Sequence, residues 1–523
     1  MVKESIYSEV EKLISYAVQH SLVSDDDRIL VTNTVLECIG CDSYAEFTKE
    51  EKIHIEKEAA KIIYPTEVLD NLVEWAAKNG TLTTDTLTFR DLLNSKIMGQ
   101  VLPRTSAIRN NFWQTYQTDR EKATNQFYEL NKQSNYIRTD RIAKNFGWEH
   151  YCQYGNLEIT INLSKPEKDP RDIAAQRDVV ATNYPKCLLC KENEGYMGRV
   201  NHAGRQNLRT IKLDLANEDW YFQYSPYIYY NEHCIVFSGN HRPMKIDRAC
   251  FEHILGFVAL FPHYFLSSNA DLPIVGGSIL SHDHFQGGRH IFPMEKATIK
   301  EWVTFKGFED IKAGIVNWPI SVLRLRGDKD RLINLADTIL QSWINYNDEA
   351  LGIISHSKGV RHNTINPVAR FKDGQYELDL ALRNNRTDAQ HPMGIFHPYE
   401  HLHNIKKENI GIIEVMGLAI LPGRLKSEMA SIKTLLSEAI QAGNNFADVY
   451  KKMEADTTLQ KHTQWLQRYI NSTDTHLTIN GLDSFIERII GDTFCEVLEH
   501  CGVFKNTPEG DKGFKRFIDQ VNK

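Results

Sequence analysis

The sequence predicts an α+β protein in which helical N- and C-terminal regions enclose two stretches rich in antiparallel strands. Three observations predict it. Apolar residues recur at helical spacing near both ends, alternating or β-prone segments fill much of the middle, and the triplet Lys372-Asp373-Gly374 joins two of them as a hairpin turn.

The helical N-terminal region covers residues 1–145. Ile6, Val10, Leu13, Ile14 and Ala17 share one helical face, and Val68, Leu69, Leu72, Val73 and Ala76 form another before Gly80 stops the run. A first β-containing segment covers 146–297. Residues 157–163 alternate as a strand that ends at Ser164-Lys165-Pro166. Residues 221–230 are aromatic and β-prone, and 234–237 form a short apolar strand entering Gly239-Asn240-His241. A helix is predicted over 247–266, followed by a strand carrying His282 and His284. The second β-containing segment covers 298–424, with a hairpin from 363–371 and 376–382 and further strands over 410–415 and 417–421. The helical C-terminal region covers 425–523, where Ile432, Leu435, Leu436, Ala439 and Ile440 share a face. Low-complexity linkers and short-period repeats are absent from the sequence.

Composition narrows the function classes. At 523 residues the chain exceeds one ordinary domain, and 41% hydrophobic with 25% charged residues fits a soluble globular protein. A net charge of -7, from 61 basic and 68 acidic residues, argues against a nucleic-acid binder while permitting a local basic pocket. No apolar run reaches the roughly 18 residues that span a bilayer, and the N-terminus has no signal-peptide pattern, so no membrane association is expected. Nine cysteines read as reduced thiols in the cytoplasm.

Residues 276–288, Gly-Gly-Ser-Ile-Leu-Ser-His-Asp-His-Phe-Gln-Gly-Gly, carry the strongest chemical signal. In a strand, His282, His284 and Gln286 fall on one face, and glycine pairs at both ends let a ligand approach the backbone. Two imidazoles and a carboxamide in a row suit attack on a phosphate and its retention. Two other readings stand beside this one: incidentally aligned histidines satisfied by hydrogen bonds, and a cupin-like metal barrel. The second is weakened because Gly288 and Arg289 occupy the place of its glutamate. Ser281, His282 and Asp283 do not make a nucleophilic triad, since neighbouring strand side chains point to opposite faces.

Cys187 and Cys190 form a C-x2-C pair, half of a tetrahedral zinc site, with His202, His233, His241 and His282 as downstream donors. Zinc and incidental thiols remain equally open for it. Cys38 and Cys41 have the same spacing in a helical stretch and read as core or incidental thiols. His391, His397, His401 and His403 suit a second metal, a phosphorylated ligand or a polar surface loop. Arginines cluster at Arg199, Arg205 and Arg209 and at Arg361, Arg370, Arg383 and Arg386. One or two from each group are candidates to neutralise a diphosphate.

In this order, the C-x2-C, the Phe237-Ser238-Gly239-Asn240-His241 segment and the glycine-led H-x-H-x-Q resemble galactose-1-phosphate uridylyltransferases. These form the nucleotidyltransferase branch of the histidine-triad (HIT) superfamily. Residues 99–104 and 154–170 and the long helical N-terminus are similar to the bacterial type 2 form. The resemblance implies two HIT-like antiparallel sheet halves and a ping-pong exchange between UDP-glucose and galactose 1-phosphate, yielding glucose 1-phosphate and UDP-galactose. It implies His284 as nucleophile and Gln286 as holder of the transferred phosphate, with His282 orienting or binding metal. It also implies structural zinc on Cys187, Cys190, His241 and His282, no organic cofactor, and a homodimer. Gly277, Ser278, Asn269, Asn409 and Glu414 are the expected substrate contacts. The chain departs from the type 1 pattern in reading Ser-His-Asp-His-Phe-Gln where that form has prolines beside the histidines, which leaves zinc open. His401 and His403 are counterparts of type 1 ligands to a second metal, with different spacing afterward.

Chemically, neutral imidazole attacks phosphorus with one nitrogen only if the other keeps its proton. A backbone carbonyl close by, such as that of His282, is expected to hold that tautomer. Two alternatives share the motif: a HIT-type nucleotidyl hydrolase or phosphorylase, and a non-catalytic zinc-stabilised nucleotide-binding protein.

Overall fold

A computed structural model describes residues 5–164, 182–277, 279–443, 445–472 and 477–523. The strands, in chain order, are β1 (Phe146–Cys152), β2 (Gly155–Asn162), β3 (Ile211–Leu215), β4 (Glu218–Tyr224) and β5 (Cys234–Ser238). They continue with β6 (Phe265–Ser267), β7 (His284–Gly288), β8 (Ile299–Val303), β9 (Lys312–Val316) and β10 (Val322–Gly327). The last are β11 (His356–Ser357), β12 (Val360–Arg361), β13 (Asn363–Lys372), β14 (Gln375–Asn384) and β15 (Leu418–Pro422). Helices and antiparallel sheet make the α+β class expected from the sequence.

The chain forms two units, Met1–Lys144 with Ser164–Arg242, and Asn145–Leu163 with Pro243–Lys523. β2 pairs in parallel with the distant β15, and β6 pairs with β13, so segments far apart in sequence share a sheet.

In the first unit the expected helical faces are present. The helix Ile6–Gln19 starts at a capping box, with Ser5 Oγ accepting the Ser8 N–H and Ser8 Oγ accepting the Ser5 N–H. Its Val10, Leu13, Ile14 and Ala17 are fully buried against Leu69, Leu72 and Ala76 of the helix Thr66–Lys78. Each such leucine stabilises the fold by roughly 1.5–3 kcal/mol relative to exposure. Gly80, at φ +76°, turns the chain out of that second helix. Strands β3, β4 and β5 follow as an antiparallel meander.

In the second unit β1-β2-β15 form one small sheet, and β7-β6-β13-β14-β10-β9-β8 lie in that order with every pairing antiparallel. The β13–β14 hairpin closes through Asp373 and Gly374, both at positive φ, as its turn triplet predicts. Two local expectations are corrected. The helix predicted to 266 spans Arg248–Leu260, because Pro262 pushes Phe261 out of helical geometry; Phe265–Ser267 is then free to pair as β6. Residues 410–415, expected as a strand, contain the short helix Ile412–Val415, whose first N–H is held by the Asn269 side chain. Among the described residues, no helix is long and apolar enough to cross a membrane.

Candidate active site and metal-binding cluster

β7 starts at His284, and His282 lies in a bend immediately before it. The same-face argument therefore holds for His284 and Gln286 and not for His282, which the bend places. The bend brings the His282 carbonyl 2.8 Å from His284 Nδ1. A carbonyl only accepts, so Nδ1 carries the proton and Nε2 keeps its lone pair. This is the hydrogen bond expected from the sequence. Burial drives the His284 pKa down to about 4, against a partial lift from that same hydrogen bond, so the ring is neutral at pH 7.

β6 aligns Ser267 with Gln286, and Ser267 Oγ donates to the Gln286 carbonyl at 2.8 Å. Asn269 follows β6 by two residues. Asn269 is buried; its Oδ1 accepts the Ile412 N–H at 3.0 Å, which leaves Nδ2 as a donor on its other side. A Cβ on Gly277 would stand 2.8 Å from that Nδ2. One on Gly411 would stand 3.2 Å from Asn269 Oδ1 and 3.4 Å from Glu414 Oε2. A side chain at Gly277 would press on Asn269, whereas one at Gly411 would require its neighbours to give by a few tenths of an ångström. The fold thus brings Gly277, Asn269 and Glu414 together, although 143 residues separate Asn269 from Ile412.

Glu414 accepts from the buried Lys406 Nζ at 2.9 Å, and Lys406 also donates to the Ile420 carbonyl. Arg383, fully buried, donates to Asn366 Oδ1 and to the Ile410 carbonyl. Lys406 and Gly411 are residues of this neighbourhood that the motif reading missed, whereas Arg383 was among the arginines grouped in the sequence. The only sequence signal of the first two is a glycine ahead of two isoleucines and a lysine eight residues before Glu414. Asn409 is exposed in the segment leading to Gly411, and Ser278 lies outside the described residues.

In the first unit, Cys187 Sγ lies 3.6 Å from Cys190 Sγ, and Cys190 Sγ lies 3.3 Å from His241 Nδ1. Two thiolates on one tetrahedral zinc, at about 2.3 Å each, stand about 3.8 Å apart, and a thiolate and an imidazole about 3.6 Å apart. None of the nine cysteines is in a disulfide. The three donors thus fit zinc in identity and spacing and form a possible metal-binding cluster. Burial, with Cys190 alongside, pushes the Cys187 thiol up to about 11, a shift that a bound dication reverses. Of the other downstream histidines, His202 turns instead to Asn193. Cys38 is buried in the core of the N-terminal helices, and Cys41 Sγ donates to the Ser43 carbonyl.

The four histidines of 391–403 do not form one ligand cluster, although His401 with Glu496 and His500 makes a second group that could hold a metal. His397 and His403 both donate to the Pro398 carbonyl, His391 meets Asp388, and His401 meets Glu496. A cavity of about 1180 Å³ opens beside them, and its lining contains neither His284, Gln286, Asn269 nor Glu414. Among the grouped arginines, Arg361 pairs with Asp271, Arg370 with Asp379 and Glu377, and Arg209 caps three carbonyls.

The chain matches the family models for the N-terminal domain of galactose-1-phosphate uridyl transferase over residues 22–243 and for its C-terminal domain over 258–453. It is 49% identical to the galactose-1-phosphate uridylyltransferase of Halalkalibacterium halodurans, over 100% of both chains. It is 48% identical to that of Clostridium acetobutylicum, over 98% of this chain and 99% of the other. The Bacillus subtilis protein of the same name is 46% identical over 99% of this chain and 98% of its own. The chain belongs to the galactose-1-phosphate uridylyltransferase family.

Proposed function

We propose that this chain transfers the uridylyl group from UDP-glucose to galactose 1-phosphate through a uridylyl-His284 intermediate. The supporting observation is the 2.8 Å hydrogen bond from His284 Nδ1 to the His282 carbonyl, which leaves Nε2 as the nucleophilic nitrogen of a neutral ring. Nε2 attacks the α-phosphorus, a P–N bond forms, and the bond to the bridging oxygen breaks, releasing glucose 1-phosphate with the electron pair. A phosphate oxygen of galactose 1-phosphate then attacks the same phosphorus, the P–N bond breaks, and UDP-galactose leaves with the imidazole restored. The sugar phosphate is a stable anion, so departure asks little of a general acid. Gln286, on the same strand face as His284, donates to the phosphoryl oxygens, and the glycine-lined backbone at Gly277 admits the diphosphate. Asn269 Nδ2 and Glu414 face the sugar phosphate, and Asn409 and Ser278 remain substrate contacts of the resemblance.

Zinc is assigned to Cys187, Cys190 and His241, with His282 the fourth donor that the family motif supplies. Bound there it supplies structural rigidity and no step of the transfer. No organic cofactor enters either half-reaction. Nine cysteines outside disulfides suit the reducing cytoplasm, and a homodimer is the assembly we assign.

The test is isotope exchange. With labelled glucose 1-phosphate, unlabelled UDP-glucose and no galactose 1-phosphate, label should enter UDP-glucose. His284→Ala should lower the exchange by on the order of 10⁴-fold or more. Exchange that persists in His284→Ala, or uridylate passed only to water or inorganic phosphate, would contradict the reading.

A further inference from the structure

The C-x2-C turn is held from behind by a side-chain relay within the first unit. Asn193, 1% exposed, donates from Nδ2 to the carbonyls of both Cys187 and Cys190, each at 2.8 Å. Its own backbone N–H also reaches the Cys190 carbonyl, at 3.0 Å. With both Nδ2 protons engaged, Oδ1 faces away from the turn, and there it meets His202 Nε2 at 2.6 Å. Oδ1 only accepts, so His202 donates from Nε2. His202 is itself buried: its backbone exchanges hydrogen bonds with Arg199, and its ring stands edge-on to Tyr196 with centroids 5.4 Å apart.

We propose that Asn193 and His202 are positioning residues for the metal clasp of Cys187 and Cys190. The inference rests on the zinc reading above. Neither residue offers a donor to the metal. Fixing the two cysteine carbonyls fixes the backbone at both ends of the turn, and with it the directions of both Cα–Cβ bonds. The sulfurs are then held 3.6 Å apart before any ion arrives. A turn already ordered gives up less conformational freedom on binding, and outer partners of this kind commonly change metal affinity by about 10- to 100-fold. His202 acts one step further out: it keeps the carboxamide from rotating, a rotation that would turn Oδ1 toward the two carbonyls and repel them.

The experiment measures zinc content and the rate of zinc transfer to a chromophoric chelator, using the full chain and four forms of it. These are the unmodified protein, Asn193→Ala, His202→Leu and His202→Gln, the last retaining an N–H donor near the Nε2 position. Zinc should leave Asn193→Ala and His202→Leu about 10- to 100-fold faster than the unmodified protein, and His202→Gln within about threefold of it. The melting temperature of the zinc-free forms separates positioning from general destabilisation: the difference between the two His202 variants should be larger with zinc than without. Unchanged release from folded Asn193→Ala and His202→Leu overturns the inference, as does equal leakage from His202→Gln and His202→Leu. If Asn193→Ala does not fold, the two His202 variants decide. Unmodified protein holding less than about a tenth of an equivalent overturns the zinc reading itself, a result distinct from the others.

Discussion

His284 and His397 are buried imidazoles of the same unit in nearly the same chemical state. Each donates from Nδ1 to a main-chain carbonyl, His282 at 2.8 Å and Pro398 at 3.1 Å, and burial brings each down to about 4. Both therefore carry a neutral ring with a lone pair on Nε2. Their surroundings differ. His284 opens a strand whose Gln286 shares its face and aligns with Ser267 of the neighbouring strand. His397 Nε2 is buried with no hydrogen-bond partner, near His403 and the charges of Arg383 and Lys406. A correct tautomer is thus a condition for nucleophilicity without being its mark. In the proposed function the mark is a place for phosphate beside the lone pair.

The comparison breaks most sharply under paired substitution. His284→Ala should lower turnover by on the order of 10⁴-fold or more. His397→Ala, measured per folded molecule in the same assay, should stay within about threefold while unfolding at lower denaturant by about 1–3 kcal/mol. Gln286→Ala comes next, with kcat reduced by about 10²–10³-fold through loss of a donor to the transferred phosphate. Circular dichroism should be unchanged, since the strand pairing of Gln286 is carried by its backbone.

Asn269→Asp sharpens the contrast further. The aspartate retains an oxygen for the Ile412 N–H but removes the Nδ2 donor beside Gly277. Activity should fall by about tenfold with little change in Tm, the cost of about one hydrogen bond; unchanged kcat/KM would remove Asn269 from the site. The smallest effect is on pH stability. His397 has a folded pKa near 4 against about 6.5 unfolded, so the unfolded chain binds more protons between those values. Its contribution is full above pH 6.5 and is lost as the pH falls toward 4. It amounts to roughly 1–2 kcal/mol after allowance for solvent screening. Denaturant titrations at pH 7 and pH 4.5 should show a smaller difference for His397→Ala than for the unmodified protein.

Legibility in the sequence followed the range of the interactions. The helical faces around Leu13 and Leu72 and the hairpin at Asp373-Gly374 depend on spacing and local backbone preference, and they were readable. Pro262 also carries a local signal, which the apolar run continuing to residue 266 obscures. The helix Ile412–Val415 was unreadable because its cap comes from a residue 143 positions away. The site divides likewise. His284 and Gln286 share one short strand and announce themselves by period two, whereas His282 owes its place to a bend that strand periodicity does not describe. Lys406, Arg383 and Gly411 join the neighbourhood of Asn269 only through long-range packing. Asn193 looks like an ordinary loop residue until the carbonyls it holds are seen, and His202, a zinc-donor candidate in the sequence, bonds the Asn193 side chain instead.

The most direct measurement is the mapping of the covalent intermediate. The enzyme is mixed with UDP-glucose labelled in the uridylyl phosphate, quenched in base, where a phosphoramidate survives, and digested for mass spectrometry. The account predicts a uridylyl group on His284, absent in His284→Ala and retained in His397→Ala. Label on another residue, or label that survives in His284→Ala, would contradict it.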